Sequence, residues 1–443
     1  MREVGVYRVP SGWAGVAAVF LCAGVASTAE IPSPDLEGVE ARVEEAIGAA
    51  RQAVADATGD ADSWGRYGMI LDAHHLPTEA AAAYREAFAL DDRDVRWPYL
   101  LATLLEYSGP EEALGWYERA TALDSAYAPS RIRYAQALEV VGRDADAEVQ
   151  YRSASDLDPT DPLGPLGLGR LALAAGRVEE AVRHLEQAYR IDAGIQATVA
   201  TLARAYALTG DREAARQKAQ EARSLPRTLP HKDSIRAGVE ALAVDSTSYL
   251  RRSRTYADVG DLSRARAEVE AVLDFSPDHA QAWFLAAGLY DRTGDAAKAL
   301  HAVQKALAAD PDLAVAKPVL ASALFKLERF DEAEPIAAEV LEEDPDNLHM
   351  LVLSAMGAAQ RNEIDLMIGH LDHAYAMRNR ESLMAPVMAQ LFVDLAAAFA
   401  DVGRYPEAAQ RMAQALTVIQ ETGAPPHELR EYRQQLDRYR RAR

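Results

Sequence analysis

The sequence predicts an all-α chain, an α-solenoid built as a stack of about ten helix-turn-helix pairs, and three observations point there. Alanine recurs with a spacing of 33 or 34 residues, amphipathic stretches of about 13 residues come in pairs, and Gly or Asp-Pro punctuation separates them. Composition agrees, because 49% of the 443 residues are hydrophobic but only 7% aromatic. That balance suits closely packed helices better than pleated sheets. A chain of this length exceeds what one core usually serves, and a repeat array resolves the difficulty by stacking small units.

Residues 1–29 read as an export signal. Arg2 and Arg8 supply a positive start, residues 13–25 form an uncharged apolar run, and Ser27-Thr28-Ala29 places small residues before Glu30. This predicts cleavage after Ala29 and a periplasmic or secreted product; retention of the signal as an anchor is the alternative. The apolar run is shorter than the roughly 20 residues a membrane span needs, so no stable membrane insertion is expected after cleavage. Cys22 follows Leu21, where a lipoprotein signal wants a small residue. Removing the signal removes the only cysteine, leaving no disulfide, thiol nucleophile or cysteine zinc site. A net charge of −21 also argues against nucleic acid, whose phosphates need clustered Lys and Arg.

A leading helix is expected within residues 30–60, over 35–58. Five repeats then fill residues 61–226, a joint occupies 227–245, five more repeats fill 246–422, and a polar capping helix closes the chain over 423–443. The first helix of each unit carries a small residue where helices cross: Gly68, Ala102, Ala135, Gly169, Ala203, Ser253, Ala287, Ala321 and Ala396. Twelve positions later, eleven in the second unit, stand Ala80, Ala113, Ala147, Ala181, Ala215, Ala265, Ala299, Ala333 and Ala408. Gly142, Gly176, Gly210, Gly260, Gly294 and Gly403 sit where a first helix must end left-handed. Asp-Pro or Ser-Pro pairs such as Asp158-Pro159 and Ser276-Pro277 stop second helices. The ninth unit is irregular, with Asn362 in place of Gly and Met367 in place of Ala.

Trp64, Tyr67, Gly68, Leu71, Ala80, Tyr84 and Ala87 resemble the tetratricopeptide repeat, as do Trp283, Ala286, Ala287, Tyr290, Ala299, Ala306 and Pro311. The resemblance covers residues 61–422, and the stretches 64–69 and 96–100 resemble exported bacterial members of unassigned role. It implies a right-handed superhelix and a non-enzymatic, cofactor-free protein that binds other proteins or peptides. The inner groove would be lined by first helices at their second, fifth, sixth, ninth and twelfth positions. Those positions hold Arg66, Tyr99, Arg133, Arg170, Arg204, Arg251 and Arg254. Guanidinium forks there suit an acidic segment, since they grip carboxylates bidentately; pairing with carboxylates inside the array is the other reading. The second array's groove, with Phe284, Val315, Val352 and Val393, looks more apolar. The residue set of a carboxylate-clamp chaperone binder is not reproduced in three consecutive units.

Signs of chemistry are weak. His370 and His373 flank Asp372 on one predicted helix and could face a metal, but two surface histidines on an irregular repeat explain them better. His74-His75 occupies a turn where Gly is usual. Gly164, Gly167 and Gly169 lack the order and the preceding strand of a nucleotide loop, and Gly169 is the small residue of its repeat. Arg252 stands where the repeat wants a buried Leu. The expectation is therefore a scaffold or adaptor of the bacterial cell envelope that binds extended or acidic segments. Alternatives are a periplasmic scaffold for polysaccharide export or envelope assembly, and a metal or redox accessory protein.

Overall fold

The computed structural model describes residues 29–225, 232–377 and 384–442. The export signal through Thr28 and residues 227–231 of the expected joint lie outside the described residues. Within them the chain is all-α, with 23 helices and no strand. Among the described residues no helix is long and apolar enough to cross a membrane.

The chain divides into two compact units, Met1–Asp245 and Ser246–Arg443. The first opens with α1 (Ala41–Asp56). This helix starts later than expected, because Pro32 and Pro34 precede it and Gly38 turns left-handed at φ 78°. Five pairs follow: α2 (Ala61–Ala73) with α3 (Pro77–Leu90), α4 (Arg96–Leu105) with α5 (Pro110–Leu123), α6 (Ala128–Val140) with α7 (Asp144–Leu157), α8 (Leu163–Ala174) with α9 (Val178–Ile191), and α10 (Gln196–Thr209) with α11 (Arg212–Ser224). A short helix, α12 (Ser234–Glu240), ends the unit. The second unit holds α13 (Ser246–Asp258) with α14 (Leu262–Phe275), α15 (Ala280–Arg292) with α16 (Ala296–Ala309), α17 (Ala316–Lys326) with α18 (Phe330–Glu343), α19 (Leu348–Gln360) with α20 (Ile364–Met377), and α21 (Ala385–Asp401) with α22 (Tyr405–Glu421). Helix α23 (Pro426–Arg441) packs on α22 and buries Leu436.

Two local devices set the pairs. At the turn, Gly142, Gly176, Gly210, Gly260, Gly294 and Gly403 all adopt positive φ. The following amide often reaches back into the finished helix, as Arg143 N donates to Leu138 O at 2.8 Å, the hydrogen bond of a left-handed helix stop. Where Gly is absent, His75, Glu328 and Asn362 take the same left-handed conformation at φ 58–60°. The matching bonds persist: Leu76 N to Leu71 O, Arg329 N to Leu324 O, and Glu363 N to Ala358 O. At the start of second helices, Asp211, Asp261 and Asp295 cap a backbone amide three residues on, satisfying a donor that the helix leaves open.

Packing follows the small residues. Ala80, Ala113, Ala147, Ala181, Ala299 and Ala333 are fully buried, so neighbouring backbones approach closely. A Cβ on Gly68 would stand 2.7 Å from Tyr84, and one on Gly169 2.6 Å from Leu185. The glycines of the 164–169 stretch are thus contact points, with Gly164 and Gly167 facing Tyr151 and Ser155 on α7.

Residues 227–245 are expected to form a joint between arrays, yet from Asp233 onward they belong to the first unit. Val239 and Ala243 are 1% exposed there, and Ile235, Leu242 and Val244 pack against the same core. Ile235, Val239 and Leu242 recur at helical spacing, so α12 carries an apolar face that needs cover. It finds that cover on the first helices α2 and α4.

Candidate functional site

The face built by the first helices of unit one is occupied by the chain's own residues 232–245. The segment runs against the order of the repeats. Lys232 Nζ reaches Thr160 Oγ1 at 2.9 Å, ahead of α8. Asp233 caps α12 through Arg236 N at 2.9 Å. Its carboxylate also accepts from the Tyr99 hydroxyl and, at 2.8 Å, from the Tyr127 hydroxyl. Tyr127 Oη in turn accepts from Ile235 N at 3.2 Å. At the far end the Val244 amide donates to His74 Nε2 at 3.4 Å, and His74 Nδ1 lies 3.6 Å from Asp245. Burial holds the His74 pKa below its ordinary value, against the pull of Asp245. A cleft of about 400 Å³ beside α12 is lined by Arg66, Met69, Arg96, Trp97, Gly238 and Leu242, among others.

The centre of the segment is an ion pair. Arg236 Nη1 donates to Asp72 Oδ2 at 2.5 Å, with Nη2 3.4 Å from Asp72 Oδ1. Asp72 also accepts from the buried Tyr84 hydroxyl at 3.2 Å. Desolvation works against the Arg236 charge, but Asp72, together with Tyr84 and Tyr99, offsets it and raises the pKa above the usual arginine value.

This rung recurs. In the next pair Glu106 accepts from the Tyr117 hydroxyl and faces Arg133 Nη1 at 3.5 Å. In the third, Glu139 accepts from Tyr151 at 3.0 Å and pairs with Arg170. Each rung places a carboxylate at the twelfth position of a repeat (Asp72 and Glu139 in the last turn of α2 and α6, Glu106 just past the end of α4), a tyrosine on the second helix, and a guanidinium alongside. For Glu106 and Glu139 the guanidinium comes from the first helix of the next pair. For Asp72 the next first helix offers Tyr99 and Thr103 instead, and Arg236 of the segment supplies the cation.

The expected arginine row therefore separates into unlike parts. Arg133 and Arg170 pair inside the array with Glu106 and Glu139. Tyr99 is fully buried, its hydroxyl directed at Asp233, and burial beside that carboxylate raises its pKa well above the ordinary value. Arg66 and Arg204 are exposed on α2 and α10. Arg251 and Arg254 are exposed on α13 and belong to the second unit. Arg252 is half-buried against Glu268 at 2.9 Å and stacks on Tyr249, so an acid of its own pair meets it.

In unit two, Phe284 and Val393 are half-buried and Val315 is exposed, whereas Val352 is fully buried and belongs to the core rather than a groove. Asp291 pairs with Lys326 at 2.6 Å, and the nearby His349 has its pKa lowered by burial and by Lys326. His370 and His373 part company: His373 Nε2 lies 2.9 Å from Asp346, and Asp372 faces Arg411. Among the described residues no three potential ligands converge on a metal site.

Two tetratricopeptide repeat family models match the chain, over residues 250–314 and 292–356. These matches identify tetratricopeptide repeats over residues 250–356, and the chain as a whole is built of ten helix pairs. A comparison with curated protein sequences finds no match. Among solved structures, the 41-to-end fragment of MamA from Desulfovibrio magneticus RS-1 is 15% identical, covering 39% of this chain and 97% of that one, TM-score 0.35. PilF of Pseudomonas aeruginosa is 18% identical, covering 53% and 94%, TM-score 0.35. A tetratricopeptide repeat protein from Parabacteroides merdae is 14% identical, covering 60% and 98%, TM-score 0.34. With scores this low the fold assignment rests on the helix pairs themselves.

Proposed function

We propose that this protein is a non-enzymatic scaffold of the cell envelope that recognises polypeptide segments on the faces built by its first helices. Tetratricopeptide repeats indicate protein–protein interaction scaffolds; the envelope setting and the mode of recognition are the proposal. The observation that carries it is the segment 232–245, a stretch of polypeptide held on α2 and α4 by side-chain hydrogen bonds and apolar anchors. A face that binds one such segment has the chemistry to bind others. The envelope setting is supported by Arg2, Arg8, the apolar run 13–25 and the small residues 27–29.

Two experiments test this. A peptide library screened against the immobilised chain is expected to yield binders that compete with one another; a library with no binder above a scrambled control refutes the scaffold reading. Cell fractionation with N-terminal sequencing is expected to find a periplasmic or secreted chain beginning at Glu30. A cytoplasmic chain beginning at Met1 refutes the envelope setting alone.

A further inference from the structure

We propose that residues 232–245 are an intramolecular ligand, and that the Asp72 rung they complete is a docking site for a partner helix of the same chemistry. This rests on the scaffold reading and names the ligand and its control. The partner segment presents an acid as helix cap and an arginine three residues later, as Asp233 and Arg236 do here.

Three observations converge. First, the arrays' own logic leaves this rung incomplete. Glu106 and Glu139 receive Arg133 and Arg170 from the following first helix, while Asp72, with 5% of its side chain exposed, receives its cation from outside the five pairs. Second, the recognition is two-pointed. Tyr99 and Tyr127 donate to one carboxylate of the segment, and Asp72 accepts from its guanidinium, so charge sign and spacing are both read. Third, α12 has seven residues, far below the roughly 12–15 that sustain a helix alone in water. Its structure depends on the face it occupies, so loss of the face and loss of the helix go together.

A tethered ligand competes at the effective concentration its tether sets, commonly in the millimolar range for short flexible links. A partner in trans thus meets a groove available only for the fraction of time the segment is released, and its apparent affinity falls by that fraction. Asp233 and Arg236 therefore set a threshold that a partner must exceed.

The test uses the full chain and a fluorescein-labelled synthetic peptide of residues 232–245, followed by fluorescence anisotropy. The peptide is expected to bind the Asp233→Asn/Arg236→Gln chain at least tenfold more tightly than the unaltered chain. Adding Asp72→Asn to the altered chain should then remove most of that gain. Equal binding to both chains, or binding to neither, overturns the proposal; in either case the library screen still reports on the scaffold reading. Should the altered chain lose helicity by circular dichroism, hydrogen exchange on the unaltered, 15N-labelled chain decides. Excess unlabelled peptide should then accelerate exchange of the chain's own Ser234–Glu240 amides severalfold, and unchanged exchange overturns the proposal.

Discussion

The ion pair between Asp72 and Arg236 can be weighed by a double-mutant cycle with Asp72→Asn and Arg236→Gln. Both substitutions keep a hydrogen-bonding group while removing charge; Asp72→Asn also keeps the shape, whereas Arg236→Gln shortens the side chain. The side chains are 5% and 22% exposed, so solvent screens this pair far less than a surface one. Coulomb attraction at about 4 Å and an effective dielectric near 20 is about 4 kcal/mol, and desolvation of both ions consumes part of it. The coupling that remains should be about 1.5–3 kcal/mol, the range of hydrogen bonds to charged groups. Because about 1.4 kcal/mol is a factor of ten, Arg236→Gln should reduce hydrogen-exchange protection of the α12 amides about 10–100-fold. Amides of α4 around Leu100 and Leu101, both fully buried, should change much less. A coupling under about 0.5 kcal/mol, within the scatter for independent sites, refutes the buried-pair argument. So does an equal loss of protection in α4, which would mean that the whole unit opens.

Four further outcomes are expected. Gly65→Ala places a Cβ 2.0 Å from the ring of Trp97, itself 1% exposed, and should cost about 1–3 kcal/mol by overpacking. Gly288→Ala meets nothing within 4 Å and should gain about 0.5–1 kcal/mol from helix propensity; urea unfolding of the two variants checks both. Glu328→Gly should stabilise the chain by about 0.5–1 kcal/mol, because an exposed glutamate now holds a left-handed conformation at φ 58° that glycine adopts freely. A lower thermal midpoint for that variant contradicts the turn argument. Finally, His74, His349 and His370 all have pKa values lowered from 6.5 by burial. The unfolded chain then binds protons that the folded chain refuses, so stability is complete above about pH 6.5 and declines below it. Thermal midpoints should fall between pH 7.5 and 5.5, and His74→Gln should flatten part of that slope; a flat profile in the unaltered chain is the contrary result.

Much of the fold was legible because the repeat writes its packing into single residue types. Gly68 and Gly169 mark helix crossings in the sequence and meet Tyr84 and Leu185 in the structure. The turn glycines announce left-handed helix stops, and Asn362 was readable as a substitute for one. Glu328 was not, since glutamate carries no intrinsic preference for that conformation and only the surrounding pair imposes it. The site was less legible. Groove spacing marks Arg133 and Arg170 but not their partners Glu106 and Glu139. The informative signal lay at the twelfth position, where Asp72, Glu106 and Glu139 recur in register. Tyr84, Tyr117 and Tyr151 recur in register on the second helices as well. Two periodic series at the repeat spacing imply a periodic contact, and the arginines complete it.

What no periodicity could reveal is the return of residues 232–245, because that segment belongs to no repeat. Its contacts span up to 170 positions in sequence, from His74 to Val244. Yet the incompleteness that draws it in is itself periodic. Rungs two and three each find their arginine one first helix further on, at Arg133 and Arg170. Rung one looks to α4, whose inward side chains include Tyr99 and Thr103, and finds no cation. A carboxylate that is buried and accepts from one tyrosine still needs a positive partner, since an isolated buried charge is far costlier than a paired one. Arg96 of α4 is turned to Asp62 and Asp94, so the lack of an arginine at position 103 creates a demand at one rung only, and Arg236 meets it. A substitution placing an arginine at position 103 would meet the same demand from within the array. Thr103→Arg should therefore release α12, seen as loss of exchange protection confined to Ser234–Glu240; retained protection there would mean that the apolar anchors Ile235 and Val239 hold the segment without the ion pair.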